Sequence, residues 1–496
     1  MPGKSFFSVF NDVIGPVMRG PSSSHTAGSH HIAATCRMLL GERPVRAVFA
    51  FDRGGSYVQT YRTQNADRAF ASGLLGWTLT DDRFDKALEI ARDEGIRIEF
   101  KAHRLVGADH PNMVRISLSA ASGRHLELLG KSTGGGSFAI VEIEGKAVWI
   151  DGKSTFCRNL RLSAGGLARL KASPVYFPQA AEPLFRSAAD LAALAGRRKI
   201  SAGPAGRLNE SRVLGLSVDG VDGEMLRRFQ IMKQSIQAGL DPLEIRLKLL
   251  RPAAGKILAA EKGKSLAIGG VPVRAAARAL AVMQASNSGA VVCAAPTGGS
   301  SGVLAGVVAT LEQDLKIRRE GIVRALFAAG AIGLVFARRA TFAAEIAGCQ
   351  VEIGAAGAMA AAAVIEAAGG TAVQACNAAA ISLQNTMGSV CDLVAGRCEI
   401  PCFTRNAVAA ASAFLCADLI LGGYENPVSL DDSIDASLAS GRMLPPELRV
   451  TSRGGLAVTP SARALDRKMR TPEIDGFRIK RRGGPRCRSK KPTFTN

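Results

Sequence analysis

The chain has 496 residues, 47% hydrophobic and 5% aromatic, with a formal net charge of +21. That length holds two or three domains, and the composition is that of a folded chain, not a disordered or fibrous one. Residues 463–496 carry twelve Lys/Arg against three acids, a net +9. No basic stripe interleaved with aromatics runs through the rest, which argues against nucleic-acid binding as the main function.

Residues 6–14 are broken by Asn11 and Asp12 and carry no cleavable leader pattern. The longest runs of apolar residues and glycine alone, 325–337 and 353–365, have 13 residues each, short for a bilayer. The expectation is a cytoplasmic protein with no membrane partner, its ten cysteines present as thiols.

Residues 1–165 read as an N-terminal α/β domain. Gly20-Pro-Ser-Ser-Ser-His-Thr26 is a turn leading into a helical pattern with Ile32, Cys36, Leu39 and Leu40 on one face. Ser22, Ser23, Ser24, His25 and Thr26 serve there either as an ordinary helix cap or as a cradle for a carboxylate or phosphate. Strands are expected at 47–51, 97–100, 113–118, 125–129 and 139–144, and helices at 67–79 and 84–93. Gly130-Lys-Ser lacks the upstream glycine of a phosphate-binding loop, because His125 stands there. The glycines at 134–136 therefore read as a tight connection.

Residues 166–210 are basic and Ala-rich and read as a linker. Residues 211–462 read as an Ala/Gly-rich helical domain, with helices at 224–238, 245–250, 273–284, 303–313, 320–337, 357–367 and 407–421. The tail, 463–496, reads as disordered. The fold class is therefore multi-domain α+β. Within the helical part, Ala294-Ala-Pro-Thr-Gly-Gly-Ser-Ser-Gly302 opens a helix. Thr297, Gly298 and Gly299 form either a second anion cradle or a plain Gly-rich connection.

Seven of the ten cysteines lie between Cys293 and Cys416, and all six histidines lie before residue 126. A local His/Cys zinc site is thereby excluded from the second half, while an all-thiolate site is allowed. Cys391 and Cys402 are separated by Gly396 and Pro401, which suggests a loop folding back, and Cys349 precedes them across an Ala-rich helix. The three are either buried structural thiols or ligands of an iron–sulfur cluster. Three ligands on a [4Fe–4S] cluster would leave one iron open as a Lewis acid.

Seven motifs carry a family resemblance: Gly-Pro-Ser-Ser-Ser-His-Thr at 20–26, His-Pro-Asn at 110–112, Ser-Thr-Gly-Gly-Gly at 132–136, Ala-Pro-Thr-Gly-Gly-Ser-Ser-Gly at 295–302, Gly-Cys-Gln-x-Glu at 348–352, Cys-Asp-x-Val-x-Gly at 391–396 and Ile-Pro-Cys-x-x-Arg-Asn at 400–406. With them the chain resembles the iron–sulfur L-serine dehydratases (L-serine ammonia-lyases), in the form with both domains on one chain, from about residue 6 to 458. The resemblance implies a [4Fe–4S] cluster on Cys349, Cys391 and Cys402, no pyridoxal phosphate, and a homodimer. It also implies conversion of L-serine to pyruvate and ammonia. Substrate would be held by Ser22, Ser23, Ser24, Thr26, Asn112, Thr297, Gly298 and Gly299. His25 is the first choice for the base or the group that orients it, and otherwise binds carboxylate. Cys398 matches no family ligand.

Two departures stand out. Where many members carry Gly-His-x-Thr-Asp, this chain reads Thr63-Gln64-Asn65-Ala66-Asp67, so a histidine is replaced by Gln64. That leaves room for a relative acting on another β-hydroxy or β-substituted amino acid. The chain also continues past Gly-Gly-Leu-Ala457 into the basic tail, where Cys487 has no assigned role. Rival readings are a basic nucleic-acid-binding protein with structural cysteines, and a cluster-bearing sensor with a fourth thiolate.

Overall fold

The computed structural model describes residues 6–162 and 166–470. Its sheet has six strands in the order Arg97–His103, Pro44–Asp52, Met113–Ala120, His125–Gly134, Ser137–Ile143 and Lys146–Ile150. The first pair is parallel and the others are antiparallel. Strand His125–Gly134 alternates half-buried and buried positions along its whole length, the mark of a sheet covered on one face. Helices Gly28–Leu40 and Ala66–Leu75 supply that cover. Ile32, Leu39 and Phe70 pack there with Phe49, Phe51, Ile116, Leu126 and Leu128. The strand continues through Ser132 to Gly134, and the turn is made by Gly135 and Gly136, both at positive φ, as the glycine run requires.

The larger core is helical. Helix Ile353–Ala367 is buried almost throughout and is surrounded by Arg319–Arg339, Ala372–Gln384, Cys402–Leu421 and Ser301–Gln313. Its Ala/Gly composition allows these axes to approach closely from several sides. Three helical segments, Arg319–Arg339, Cys349–Ala367 and Cys402–Leu421, are long and apolar enough to cross a membrane. The apolar windows of the first two are 83% and 94% buried inside the fold, which accounts for their composition.

The architecture is α+β, and it corrects four local expectations. Residues 9–18 do not belong to the sheet unit: Val9, Phe10, Val13, Ile14 and Met18 sit in the helical core. Buried Glu210 holds them there, accepting from Ser8 Oγ and the Val9 and Phe10 amides at 2.7–3.0 Å. The expected linker carries structure of its own, including the pair Phe156–Arg161 and Leu167–Ala172, which begins before it, and helices Ala188–Arg198 and Ala202–Leu214. Leu191, Leu194 and Ala195 are buried there, while the exposed Arg197, Arg198 and Lys199 masked that face in composition. Residues 245–250 are not helical, because the Glu399 carboxylate takes the amides of Lys248, Leu249 and Leu250 at 2.9 Å each. Finally, helix Pro460–Arg470 covers the start of the expected disordered tail, a stretch rich in helix-forming Ala, Arg, Lys and Leu. Residues 471–496 lie outside the described residues.

Helices Val218–Leu240 and Val271–Asn287 meet at Gly239, where an added Cβ would lie 1.7 Å from the Ala281 carbonyl oxygen. Gly239→Ala is expected to force them apart at a cost of about 1–3 kcal/mol. Gly223→Ala on the same helix, where no atom lies within 4 Å, should stabilise by roughly 0.5–1 kcal/mol. Thermal melts of the two variants test this, and equal shifts in Tm would contradict the packing argument.

Candidate functional site

Seven chain segments converge where the sheet unit abuts the helical core. Gly298 N donates to Ser23 Oγ at 3.1 Å, and Ser132 Oγ donates to the Ser24 carbonyl at 2.8 Å. Asn112 Nδ2 donates to Glu345 Oε1 at 3.0 Å, and Thr63 Oγ1 to the Gly396 carbonyl at 2.9 Å. Each bond crosses between segments distant in sequence.

Ser22 caps one tight turn, Ser23–Ala27, that runs directly into helix Gly28–Leu40. Its Oγ accepts from His25 N at 3.2 Å. The turn delivers the His25 ring into an environment with no exposed surface. There Thr60 Oγ1 donates to the Ser56 carbonyl, so its oxygen accepts from His25 Nε2; both distances are 2.8 Å. That places the ring proton on Nε2 and leaves the Nδ1 lone pair facing Ser22 Oγ at 3.4 Å and Glu345 Oε1 at 3.6 Å.

Burial lowers the His25 pKa to about 3 and raises that of Glu345. With the imidazole neutral, their approach is not an ion pair. Glu345 Oε2 and Asn112 Oδ1 are buried and have no hydrogen-bond partner among the described residues. Glu345 also lines a cavity of about 310 Å³ with Ser56, His110 and Arg449.

The thiols lie beyond Glu345. Ligand atoms of Cys349, Glu352 and Cys391 are all within 4.8 Å of one another. Arg405 Nη1 lies 3.3 Å from Cys349 Sγ, and Arg405 Nη2 pairs with Asp392 at 3.0 Å. A hydrogen bond from Cys391, together with the Arg405 charge, brings Cys349 down to about 7, favouring thiolate. Cys402 is hydrogen-bonded to Cys398 and close enough to Cys349 to feel its charge, and its own pKa is pushed well up. Glu352, half-buried beside Cys349 and Glu345, is also pushed well up, by desolvation first and by their charges second. A buried set of thiols with an adjacent guanidinium suits a thiolate-held iron–sulfur cluster, and all nine described cysteines are free thiols.

Most of the residues singled out in the sequence line this junction. Thr26 Oγ1 donates to the Gln64 carbonyl at 3.1 Å. Thr297 Oγ1 accepts from Ser300 N at 3.1 Å, and the Gly299 carbonyl accepts from Asn406 Nδ2 at 2.8 Å. The two small-residue loops are joined through the Gly298 amide and Ser23 Oγ, while the Thr297 hydroxyl bonds within its own loop. Cys349 and Cys391 belong to the close group, whereas Cys402 stands with Cys398, which sequence reasoning had set aside. Gln64 is buried, with Nε2 3.5 Å from the Gly396 carbonyl, so it faces the cysteine loop. Glu345, Glu352, Thr60 and Arg405 were missed. Glu352 and Arg405 lay inside quoted motifs; Thr60 and Glu345 had no local signal.

Residues 151–457 match the family described as Serine dehydratase alpha chain. A "Probable L-serine dehydratase, alpha chain" of Bacillus subtilis (strain 168) is 36% identical over 287 residues, 58% of this chain and 95% of that protein. The "Probable L-serine dehydratase, beta chain" of the same organism is 43% identical over 145 residues, 29% of this chain and 64% of that protein. "L-serine dehydratase TdcG" of Escherichia coli (strain K12) is 40% identical over 182 residues, 36% of this chain and 40% of that protein.

With its pKa lowered to about 3, His25 should stay in its Nε2–H form as pH falls from about 8 to about 5, whereas an ordinary histidine titrates near 6.5. Nitrogen-15 spectra of histidine-labelled protein measure this. A His25 midpoint near the ordinary value would show that water reaches the ring.

Proposed function

The chain belongs to the serine dehydratase alpha-chain family, and on that premise we propose that it is an iron–sulfur L-serine ammonia-lyase. It would carry the alpha-type and beta-type parts on one chain, a reading supported by its matches to both kinds of subunit. The observation that carries the proposal is the placing of a neutral, buried imidazole next to Glu345, with the Cys349, Glu352 and Cys391 group immediately beyond.

Cys349, Cys391 and Cys402 would hold a [4Fe–4S] cluster, which when bound supplies an open iron as Lewis acid for the departing β-hydroxyl. The protein's own residues do the rest. The substrate carboxylate is held by the Ser22–Ser24 and Thr297–Gly299 loops, with Asn112 and Thr26 shaping the pocket. Glu345 Oε2, buried without a partner, receives the α-ammonium group. His25 Nδ1 takes the α-proton, while Thr60 holds Nε2 and so fixes the tautomer. Loss of the proton and hydroxide leaves 2-aminoacrylate. This tautomerises to the imine and hydrolyses to pyruvate and ammonia, so no pyridoxal phosphate is required. Gln64, facing the cysteine loop, carries no group able to take a proton at neutral pH, which leaves His25 as the base. The same feature motivates a second reading, in which another β-hydroxy amino acid is the substrate.

Cytoplasmic location follows from the proposed metabolic role. Val408, Leu415 and Leu419 form an exposed apolar face on helix Cys402–Leu421, which supports a homodimer.

His25→Ala is expected to keep iron and sulfide while turnover falls by about 10²–10⁴-fold, the usual contribution of a general base. A double variant with Gln64→His tests the assignment. Recovery of pyruvate release would move the base to position 64. Release of 2-oxobutyrate from L-threonine faster than of pyruvate from L-serine would favour the second reading. Cys391→Ser in anaerobically purified protein should lose both iron and turnover; full iron content in that variant would remove Cys391 from the ligand set.

A further inference from the structure

A cavity of about 630 Å³ opens between residues 59–63, the Cys391–Cys402 loop and the C-terminal helix Pro460–Arg470. Arg62, Arg397, Arg453 and Arg463 line it, against a single carboxylate, Asp466. Among the described residues none of these four guanidinium groups makes a side-chain hydrogen bond or an ion pair, and Arg397 Nε is buried without a partner. Neighbouring acids are committed elsewhere. Glu399 accepts three backbone amides, and Asp392 takes Arg405 and the Leu456 amide. The backbone at the cavity is strained as well: Ala395 and Ser452, neither of them glycine, hold φ of 52° and 54°. Such conformations persist where the surroundings over-determine them.

We propose that this cavity is a binding site for a small dianionic or more highly charged oxyanion, a phosphate ester or a dicarboxylate. Guanidinium forks match either kind of oxygen pair, and the volume is in the usual range of about 300–1,000 Å³ for small-ligand sites. The site is wired to the junction described above. Thr63 Oγ1 bonds the Gly396 carbonyl at 2.9 Å, Ser452 Oγ bonds the Leu393 carbonyl at 2.7 Å, and Thr60, three residues before Thr63, holds His25. An anion bridging Arg62 and Arg397 fixes the segment that positions His25 relative to the loop that carries Cys391 and Cys402. Anion binding itself does not depend on the dehydratase reading.

The test is isothermal titration of the anaerobically purified full chain, at constant ionic strength, with glycerol 2-phosphate and separately with succinate. One saturable site is expected, weakened at least tenfold by Arg397→Gln and likewise by Arg463→Gln, which alters an exposed side chain and should leave folding intact. Saturation by glycerol 2-phosphate alone identifies a phosphate ester; saturation by succinate alone identifies a dicarboxylate. The proposal is overturned if neither probe saturates. It is also overturned if both variants bind like the parent; loss of binding in Lys490→Gln with Lys491→Gln would then place the anion on the tail.

Discussion

The two ring nitrogens of His25 are committed in opposite directions inside a space with no exposed surface, and the rest of the junction is arranged around that commitment. Nε2 is held by Thr60, whose own proton goes to the Ser56 carbonyl. Nδ1 is left basic and directed toward Ser22 and Glu345. In water an imidazole would exchange tautomers and titrate near neutrality. Here desolvation keeps it neutral, and one hydroxyl chooses its tautomer. The turn that starts at Ser22 exists to bring the ring to that point, and helix Gly28–Leu40 anchors the turn on the sheet.

The same burial shapes the neighbouring acids and thiols. Glu345 is pushed toward its protonated form by burial, and Glu352 by desolvation first and by proximity to Cys349 and Glu345 second. Cys349 moves the opposite way because Cys391 and Arg405 stabilise its thiolate. A polar cluster of this kind inside a core is costly unless its groups find partners. The atoms left without one, Glu345 Oε2 and Asn112 Oδ1, are where a substrate with donor groups would gain most. The helices around Ile353–Ala367 supply rigidity, since small residues let them pack closely and present Cys349 and Cys402 at helix ends.

How much of this was legible in the chain can be judged from particular residues. Five of the six sheet strands announce themselves, most clearly through alternation at 125–129, because a sheet with one covered face writes its burial into every second residue; the edge strand Lys146–Ile150 was missed. The helices at 273–284, 303–313 and 320–337 were legible to within a few residues for the analogous reason. The segment 245–250 misled because its apolar spacing is helical while its amides are claimed by Glu399, 150 residues away in sequence. Residues 9–18 looked like the start of the sheet unit, yet Glu210 holds them in the other core. No local pattern records an interaction of that range.

The sequence by itself determined the chemical inventory. It confined every imidazole to the first quarter, concentrated the thiols in the second half, and supplied two small-residue loops at helix starts. Those are properties of residue type and order, and they survive any folding. Only the tertiary structure decided which members of the inventory meet: that Thr60 and not Gln64 contacts His25, that Glu345 neighbours both the imidazole and Glu352, that Cys398 accompanies Cys402, and that four arginines face one cavity. Each of these depends on burial and on contacts between segments far apart in the chain. Desolvation and hydrogen-bond partnership are properties of a place, and a place exists only once the chain has folded.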